Sequence, residues 1–518
     1  MILGQSSPQH LAIVAKVGRS TIDDVFRRAA TRRPDAIALA DPPNRTAVTD
    51  GAPRRLTFAE ADRMISAVAV RLRRLGLGID QIVGMQMANT VDAVVTLLGI
   101  LRAGLIAAPL PLLWRQADCV AALNRVGAKA LIVSRRIGTV DHCALARNVA
   151  AEVFHIRQVG GFGEGLPDGV IGFDDLYAAG PGEAPPAIER TVNPAAHVAV
   201  ITFDVAPDGL LPVARSHVEL LAAGAAVALE SRVEQNAIIL SSLALPSLAG
   251  LALAVIPWLL IGGTLALHHP FDDEVFLQQT RDEHCGIVVV PAALALRLDE
   301  SGALGGGRRT SIKTVVAAWR APERMAASQV WKDPAVGLVD VPVFGEPAVF
   351  ASRRAAGGRP APLVLGPVAA PRGAPGALHV GELLRTEAST IAVRGPLVPK
   401  FALPPEVDTV GKPAFPVNAE GFADTGYACV VDPATRALAI GGPPVGLVGI
   451  GGYRFAQQAL ADMAAAVEPG SRIVAQSDGL SGQHLVGIAG NDARMRAELG
   501  TRGVNPLIAA AFHSDRAA

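Results

Sequence analysis

Residues 83–110 read VGMQMANTVDAVVTLLGILRAGLIAAPL. Residues 83–87 form a short apolar run of strand type. Residues 91–103 carry apolar side chains at helical spacing and stop at Gly104, a residue suited to the left-handed turn that closes a helix. Residues 107–110 then read as a second strand. Working outward, residues 21–33 predict a helix and 36–40 a strand, and Thr57 with Glu60 has the spacing of a capping box for a helix ending before Gly76. Further short apolar strands are expected at 130–133, 198–203, 238–241 and 287–290. Helices alternating with strands at this pitch give the fold class, a layered α/β protein of several sheets and helices.

A Gly, Pro and Ala-rich stretch at 355–377 reads as a loop-dense connector, and strands at 379–384 and 390–394 follow it. The expected organisation is therefore a large region, 1–440, with a β-rich subdomain at about 355–440. A Gly/Pro hinge at Gly441-Gly442-Pro443-Pro444 opens a shortened α/β tail, 441–518. Residues 248–267 are uncharged and long enough to span a bilayer, but Pro257 and Gly262-Gly263 interrupt them, so a buried helix plus strand is expected. Gly-rich pieces at 160–165 and 446–452 read as turns.

The 518 residues hold 47 basic and 47 acidic side chains, so no net field attracts a polyanion and a nucleic-acid partner is not expected. Cys119, Cys143, Cys285 and Cys429 have neither disulfide-framework nor zinc-ligand spacing, which fits a reducing, cytoplasmic setting. His268-His269 and His284-Cys285 sit near acidic residues without ligand spacing and read as core or surface histidines. Six basic residues are lysines, and none follows Lys412. The common phosphate-loop, zinc-protease and nucleophile-elbow motifs are absent.

Several segments in one linear order resemble the adenylate-forming superfamily, which includes acyl-CoA synthetases and other AMP-forming ligases. They are LTFAE at 56–60, the 83–110 stretch, GAKALIV at 127–133, ITF with a following Gly and SH pair within 201–217, and FGE at 344–346. GEL at 381–383, VRGP at 393–396, EGFADTG at 420–426 and GGYRF at 451–455 complete the series. The resemblance implies the two-part fold and a two-step reaction: a carboxylic acid and ATP give an acyl-adenylate, which a thiol such as coenzyme A intercepts. ATP or AMP, magnesium and CoA are then the implied cofactors, and a small carboxylate or CoA ligand is the implied partner, with no membrane span.

By motif match, the nucleotide site falls on Thr202, Gly209, Phe344, Gly345, Thr425 and Gly426, with Gly451 and Gly452 at the tail. Glu346 is the candidate for magnesium, and Trp319-Arg320, standing where relatives carry two glycines, mark the substrate pocket. The matches are incomplete. The phosphate loop has become Asp204-Val205-Ala206-Pro207-Asp208, placing acids where phosphate would sit. Tyr427 stands where the family's ribose-binding aspartate is expected, and the tail lysine that would bridge carboxylate and phosphate is missing. Arg472, Arg494, Arg496, Arg502 and Arg516 are its candidate replacements in charge. Three readings stay open: a divergent acyl-CoA synthetase-like enzyme, a non-catalytic homologue binding a nucleotide, acyl or CoA ligand or a protein partner, and an enzyme of the thioester half-reaction only.

Overall fold

The structure is a computed structural model that describes residues 18–178, 184–185, 187–190, 192–304, 311–326, 328–354, 358–400, 415 and 417–513. Lys16, Lys412 and Arg516 lie outside these residues.

The 83–110 stretch forms a strand, Ile82–Gln86, a helix, Val91–Arg102, and a parallel strand, Ile106–Pro109. Every residue of that helix is buried, because it lies in the core shared by the two large sheets rather than on a surface. One sheet has seven strands in the order Gly209–Ser216, Val198–Ala206, Ile106–Pro109, Ile82–Gln86, Ala130–Ser134, Gln158–Phe162 and Ile171–Gly172. The other runs from Ala348–Val349 through Gly337–Phe344, Thr314–Trp319, Ile287–Pro291, Ile238–Ser241, Thr264–Leu267 and Ile37–Ala40 to Arg55–Thr57. Their central strands pair in parallel and are apolar nearly throughout, as strands covered on both faces must be.

Helix starts follow the local chemistry of the sequence. Thr57 and Glu60 cap the helix Phe58–Arg74 reciprocally, and Ser216 and Glu219 do the same for His217–Ser231. Residues 248–261 are helical and, apart from half-buried Leu260, buried, and Thr264–Leu267 is a strand. Among the described residues no helix is long and apolar enough to cross a membrane.

Two expectations need correction. Gly160 and Gly161 are not in a turn but inside the buried strand Gln158–Phe162. A Cβ on Gly160 would lie 2.7 Å from the Phe173 ring and one on Gly161 3.1 Å from Cys143 Sγ, so close packing explains both glycines. The connector at 355–377 contributes two strands, Leu363–Val364 and Gly366–Ala370, to a six-stranded antiparallel sheet. That sheet also holds Leu378–Arg385, Thr390–Arg394, Ala423–Val431 and Ala437–Gly442. Gly441 and Gly442 end its last strand, and a separate apolar cluster, including Val448, Leu460, Met495 and Phe512, forms the core of the tail.

Candidate active site

Where the tail meets the large region, the hairpin Leu447–Ile450 and Tyr453–Ala456 inserts its turn, Gly451-Gly452, into the seam. Tyr453 Oη accepts the amide of Leu113 at 3.1 Å, and Gly503 accepts that of Ala117 at 3.0 Å. Arg324 donates to the carbonyl of Asp478.

On the large-region side, strands Val198–Ala206 and Gly209–Ser216 pair continuously from Val200 with Arg215 to Ala206 with Gly209. Only Pro207-Asp208 remains as the turn, with Pro207 fixing its own φ and Gly209 taking φ +136° after it. Alternate amides of this ladder bond across to the opposing strand, so the segment is not an open loop of free donors.

Asp204, on this hairpin, is the hub of the seam. Its Oδ2 accepts the amide of Glu346 at 2.8 Å, and Arg454 Nη1 donates to both of its carboxylate oxygens at 3.0 Å. Arg454 Nη2 donates to Tyr427 Oη at 2.5 Å. Burial by itself lowers the pKa of Arg454, but Asp204 and Tyr427 together hold it above the ordinary arginine value. Tyr427 lays its ring edge-on against Phe344 with centroids 5.4 Å apart, and Phe350 meets Phe344 at 6.3 Å. Phe344 has no exposed surface. Gly345, at φ +61°, has no room for a side chain, since a Cβ there would collide with Arg454 Nη1 and Asp204 Oδ2.

A second ion pair lies behind the first. Arg215 is wholly enclosed; its Nη1 donates to Thr202 Oγ1 at 3.3 Å, its Nη2 to the Glu346 carbonyl, and its guanidinium is 3.8 Å from Glu346 Oε2. That same carboxylate oxygen accepts the amide of Leu248 at 2.9 Å. Burial pushes the Glu346 pKa up while Arg215 opposes the shift.

Residues 26–336 match the sequence profile of the AMP-binding enzymes. The chain belongs to that family. It is similar to the amide bond synthetase McbA of Marinactinospora thermotolerans, with a TM-score of 0.68 at 19% identity over 93% of this chain and 94% of McbA. MbtA of Mycobacterium smegmatis gives a TM-score of 0.65 at 19% identity over 98% of this chain and 93% of MbtA. The anthranilate CoA ligase AuaEII, solved with anthranoyl-AMP, gives 0.62 at 14% identity, covering 90% of this chain and 86% of AuaEII. Sequence matches are local. Syringomycin synthase SyrB1 of Pseudomonas syringae is 47% identical over 62 residues, 12% of this chain and 10% of SyrB1. Long-chain fatty acid transport protein 1 of Bos taurus is 33% identical over 114 residues, 22% of this chain and 16% of that protein.

Set against the site expected of an AMP-binding enzyme, the candidate residues divide. Thr202, Phe344, Gly345 and Glu346 do converge, but on Asp204, Arg215, Tyr427 and Arg454. Glu346 does not fit a magnesium ligand, because its carboxylate points inward to the Leu248 amide and Arg215. The Phe344 ring does not fit an adenine platform, being covered by the chain's own aromatics. Gly209 follows the hairpin turn. Thr425 Oγ1 donates to the Ile391 carbonyl at 2.7 Å, and Gly426, at φ +71°, packs on Pro444. Trp319 fills the core rather than a pocket, its Nε1 donating to Asp340 Oδ1 at 2.7 Å while Arg354 holds the same carboxylate. Arg320, one residue on, turns to the seam and donates to the Gly451 carbonyl at 3.4 Å.

Sequence reasoning missed Arg454, although GGYRF was among its matched segments. Of the tail arginines named as replacements in charge, Arg496 and Arg502 bond to the tail's own carbonyls at Phe512 and Ala466. The available signal was Asp204 itself, since a buried acid needs a cation.

Proposed function

We propose that this chain is a non-catalytic member of the adenylate-forming family, in which Asp204, Arg454 and Tyr427 take the place of the nucleotide. The observation that carries this reading is Arg454 bonded to Asp204 and Tyr427 over a fully buried Phe344. The arginine meets an internal carboxylate where an adenylating enzyme would offer cations and amides to phosphate. Each transition-state donor lost from such a centre typically costs about 10² to 10³ in rate. Here the family's hydroxyl-rich loop, metal carboxylate, ribose acceptor and tail lysine are all replaced.

An adenylating alternative requires Arg454 to leave Asp204. Breaking a buried pair costs about 3–5 kcal/mol, which would reduce the open population by roughly a hundredfold to several thousandfold. Lys400 does not substitute for the absent lysine, because it lies near the buried Glu219, and burial lowers its pKa. What the fold retains is the seam, and the function that follows is binding of a small acid or thioester ligand there.

Calorimetric titration with AMP, and with ATP plus magnesium, tests the closed nucleotide site. Dissociation constants weaker than about 1 mM are expected for both. Micromolar binding of either would overturn the reading.

A further inference from the structure

The larger sheets end in edges that give another chain little to pair with. One ends at Ile171–Gly172 and at Gly209–Ser216, which carries Pro212, and another at Ala348–Val349 and Arg55–Thr57. The antiparallel sheet ends at Leu363–Val364 and at Gly366–Ala370, where Pro367 and a register shift interrupt the strand. Short strands, prolines and bulges are the usual means of blunting an edge. The tail hairpin of Arg472–Asp478 and Gly482–Ile488 has none of them: both strands run seven residues and pair from Arg472 with Ile488 to Asp478 with Gly482 without a shift.

The two edges of this hairpin differ. Along Gly482–Ile488, the Gln483 side chain accepts the Gly449 amide at 3.1 Å and Gly487 donates its own amide to Ala511 at 2.7 Å, so that edge is occupied. Gly487 thus points away from its partner strand. By the alternation of an antiparallel ladder, the amides and carbonyls of Ile473, Ala475 and Ser477, which face residues 487, 485 and 483, also turn away from the hairpin. Among the described residues no other backbone pairs with these three. The side chains of Ile473 and Ala475 pack against the tail core, while Val474, Val486 and Ile488 share the opposite face, where Val474 and Ile488 are exposed.

The free strand carries opposite charges at its two ends. Arg472 is exposed and forms no ion pair among the described residues. Asp478 accepts the Ser481 amide at 2.6 Å, the Ser481 hydroxyl at 2.7 Å and the Leu480 amide at 2.9 Å. These bonds hold its pKa down to about 2, and all fall on Oδ1, which leaves Oδ2 to another donor. We propose that the Arg472–Asp478 edge pairs with the same strand of a second copy of this chain, antiparallel about a twofold axis at Ala475. That register sets Arg472 of each copy against Asp478 of the other, and lets the outward amides and carbonyls of Ile473, Ala475 and Ser477 bond to those of Ser477, Ala475 and Ile473. Moving the axis by one residue sets Arg472 against Gln476 or Leu480 instead, so the charges select a single register. Each hairpin turn is tied to its own large region by Arg324 and the Asp478 carbonyl, and antiparallel pairing puts the two turns at opposite ends of the joint. The interface therefore leaves the seam closed and does not depend on the reading of the nucleotide site.

Sedimentation velocity on the full chain tests this. One strand pair is a small interface, so a dimer with a dissociation constant of about 10–100 µM is expected. Ala475→Pro removes an outward amide but no bond of the hairpin, and should weaken the dimer about tenfold or more. Arg472→Glu, which sets like charges face to face, should do the same, while Arg472→Lys should stay within about threefold of the unaltered chain. A single-copy species up to about 500 µM, a dimer that either Ala475→Pro or Arg472→Glu leaves unchanged, or equal losses in Arg472→Lys and Arg472→Glu would each overturn the proposal. Circular dichroism checks the fold of the variants. Should they not fold, site-resolved hydrogen exchange on the unaltered chain decides: the amides of Ile473, Ala475 and Ser477 should slow about threefold or more between about 1 and 300 µM protein, and equal rates at both concentrations would overturn the pairing.

Discussion

Arg454 Nη1 lies 3.0 Å from each carboxylate oxygen of Asp204, a residue 250 positions earlier in the chain. The pair joins the tail to the hairpin of strands Val198–Ala206 and Gly209–Ser216, and Tyr427 from the β-rich sheet is the third party. Two changes that look like separate losses in the sequence, Asp204 and Tyr427, therefore join Arg454 in one complementary cluster. An acid that would repel phosphate becomes a partner for arginine, and a phenol that cannot bind ribose in an aspartate's manner covers Phe344.

The first expectation concerns coupling. Asp204→Asn and Arg454→Gln should each destabilise by about 3 kcal/mol, because each leaves a buried partner uncompensated. The double variant should fall short of the sum by about 1–3 kcal/mol, measured by urea denaturation as a double-mutant cycle. Additive losses would mean that the pair does not interact in solution.

Docking of the tail supplies a second. The amides of Leu113 and Ala117 are held by Tyr453 and Gly503 across the seam. In Arg454→Ala their hydrogen exchange should accelerate by about tenfold or more, corresponding to roughly 1.4 kcal/mol lost from docking. Unchanged exchange would mean that the tail is held without Arg454.

Much of this architecture is legible in the sequence because it depends on local chemistry. The 83–110 strand, helix and strand, the Thr57 and Glu60 cap and the Thr390–Arg394 strand lie where periodicity and capping residues place them. Gly160 and Gly161 read as turn residues because a glycine admitted to a strand by a neighbouring side chain looks, in sequence, like one that turns the chain. The site was legible as a set of departures from a motif. Its replacement was not, because pairing Asp204 with Arg454 and Tyr427 depends on three elements brought together only by the fold.

Tyr427 separates the hydrogen bond from the packing. Tyr427→Phe should lose about 1 kcal/mol, the worth of its bond to Arg454, while Tyr427→Ala should lose about 3–5 kcal/mol by uncovering Phe344. Denaturant midpoints measure both. Equal losses would mean that the ring contributes nothing beyond its hydroxyl.

A pH dependence follows from His217. Burial pushes its pKa down to about 3, with further lowering from Arg190 and His197 against Asp24 and Asp80, and its Nδ1 accepts the Ile22 amide at 3.2 Å. The ring stays neutral in the fold, whereas in the unfolded chain it binds a proton near pH 6.5. The unfolded state therefore takes up more protons between these values, so stability is full above about pH 6.5 and falls as the pH drops toward 3. Between pH 7 and about 4.5, His217→Gln should lose roughly 2 kcal/mol less stability than the unaltered protein. Urea midpoints at the two pH values report this, and an identical drop would contradict it.

Acid-dependent exchange of labelled pyrophosphate into ATP, run over a broad carboxylic acid panel, tests the closed adenylation centre most directly. A seam occupied by Arg454 predicts no exchange above the acid-free control for any acid. Saturable exchange with even one acid, abolished when that acid is omitted, would contradict it.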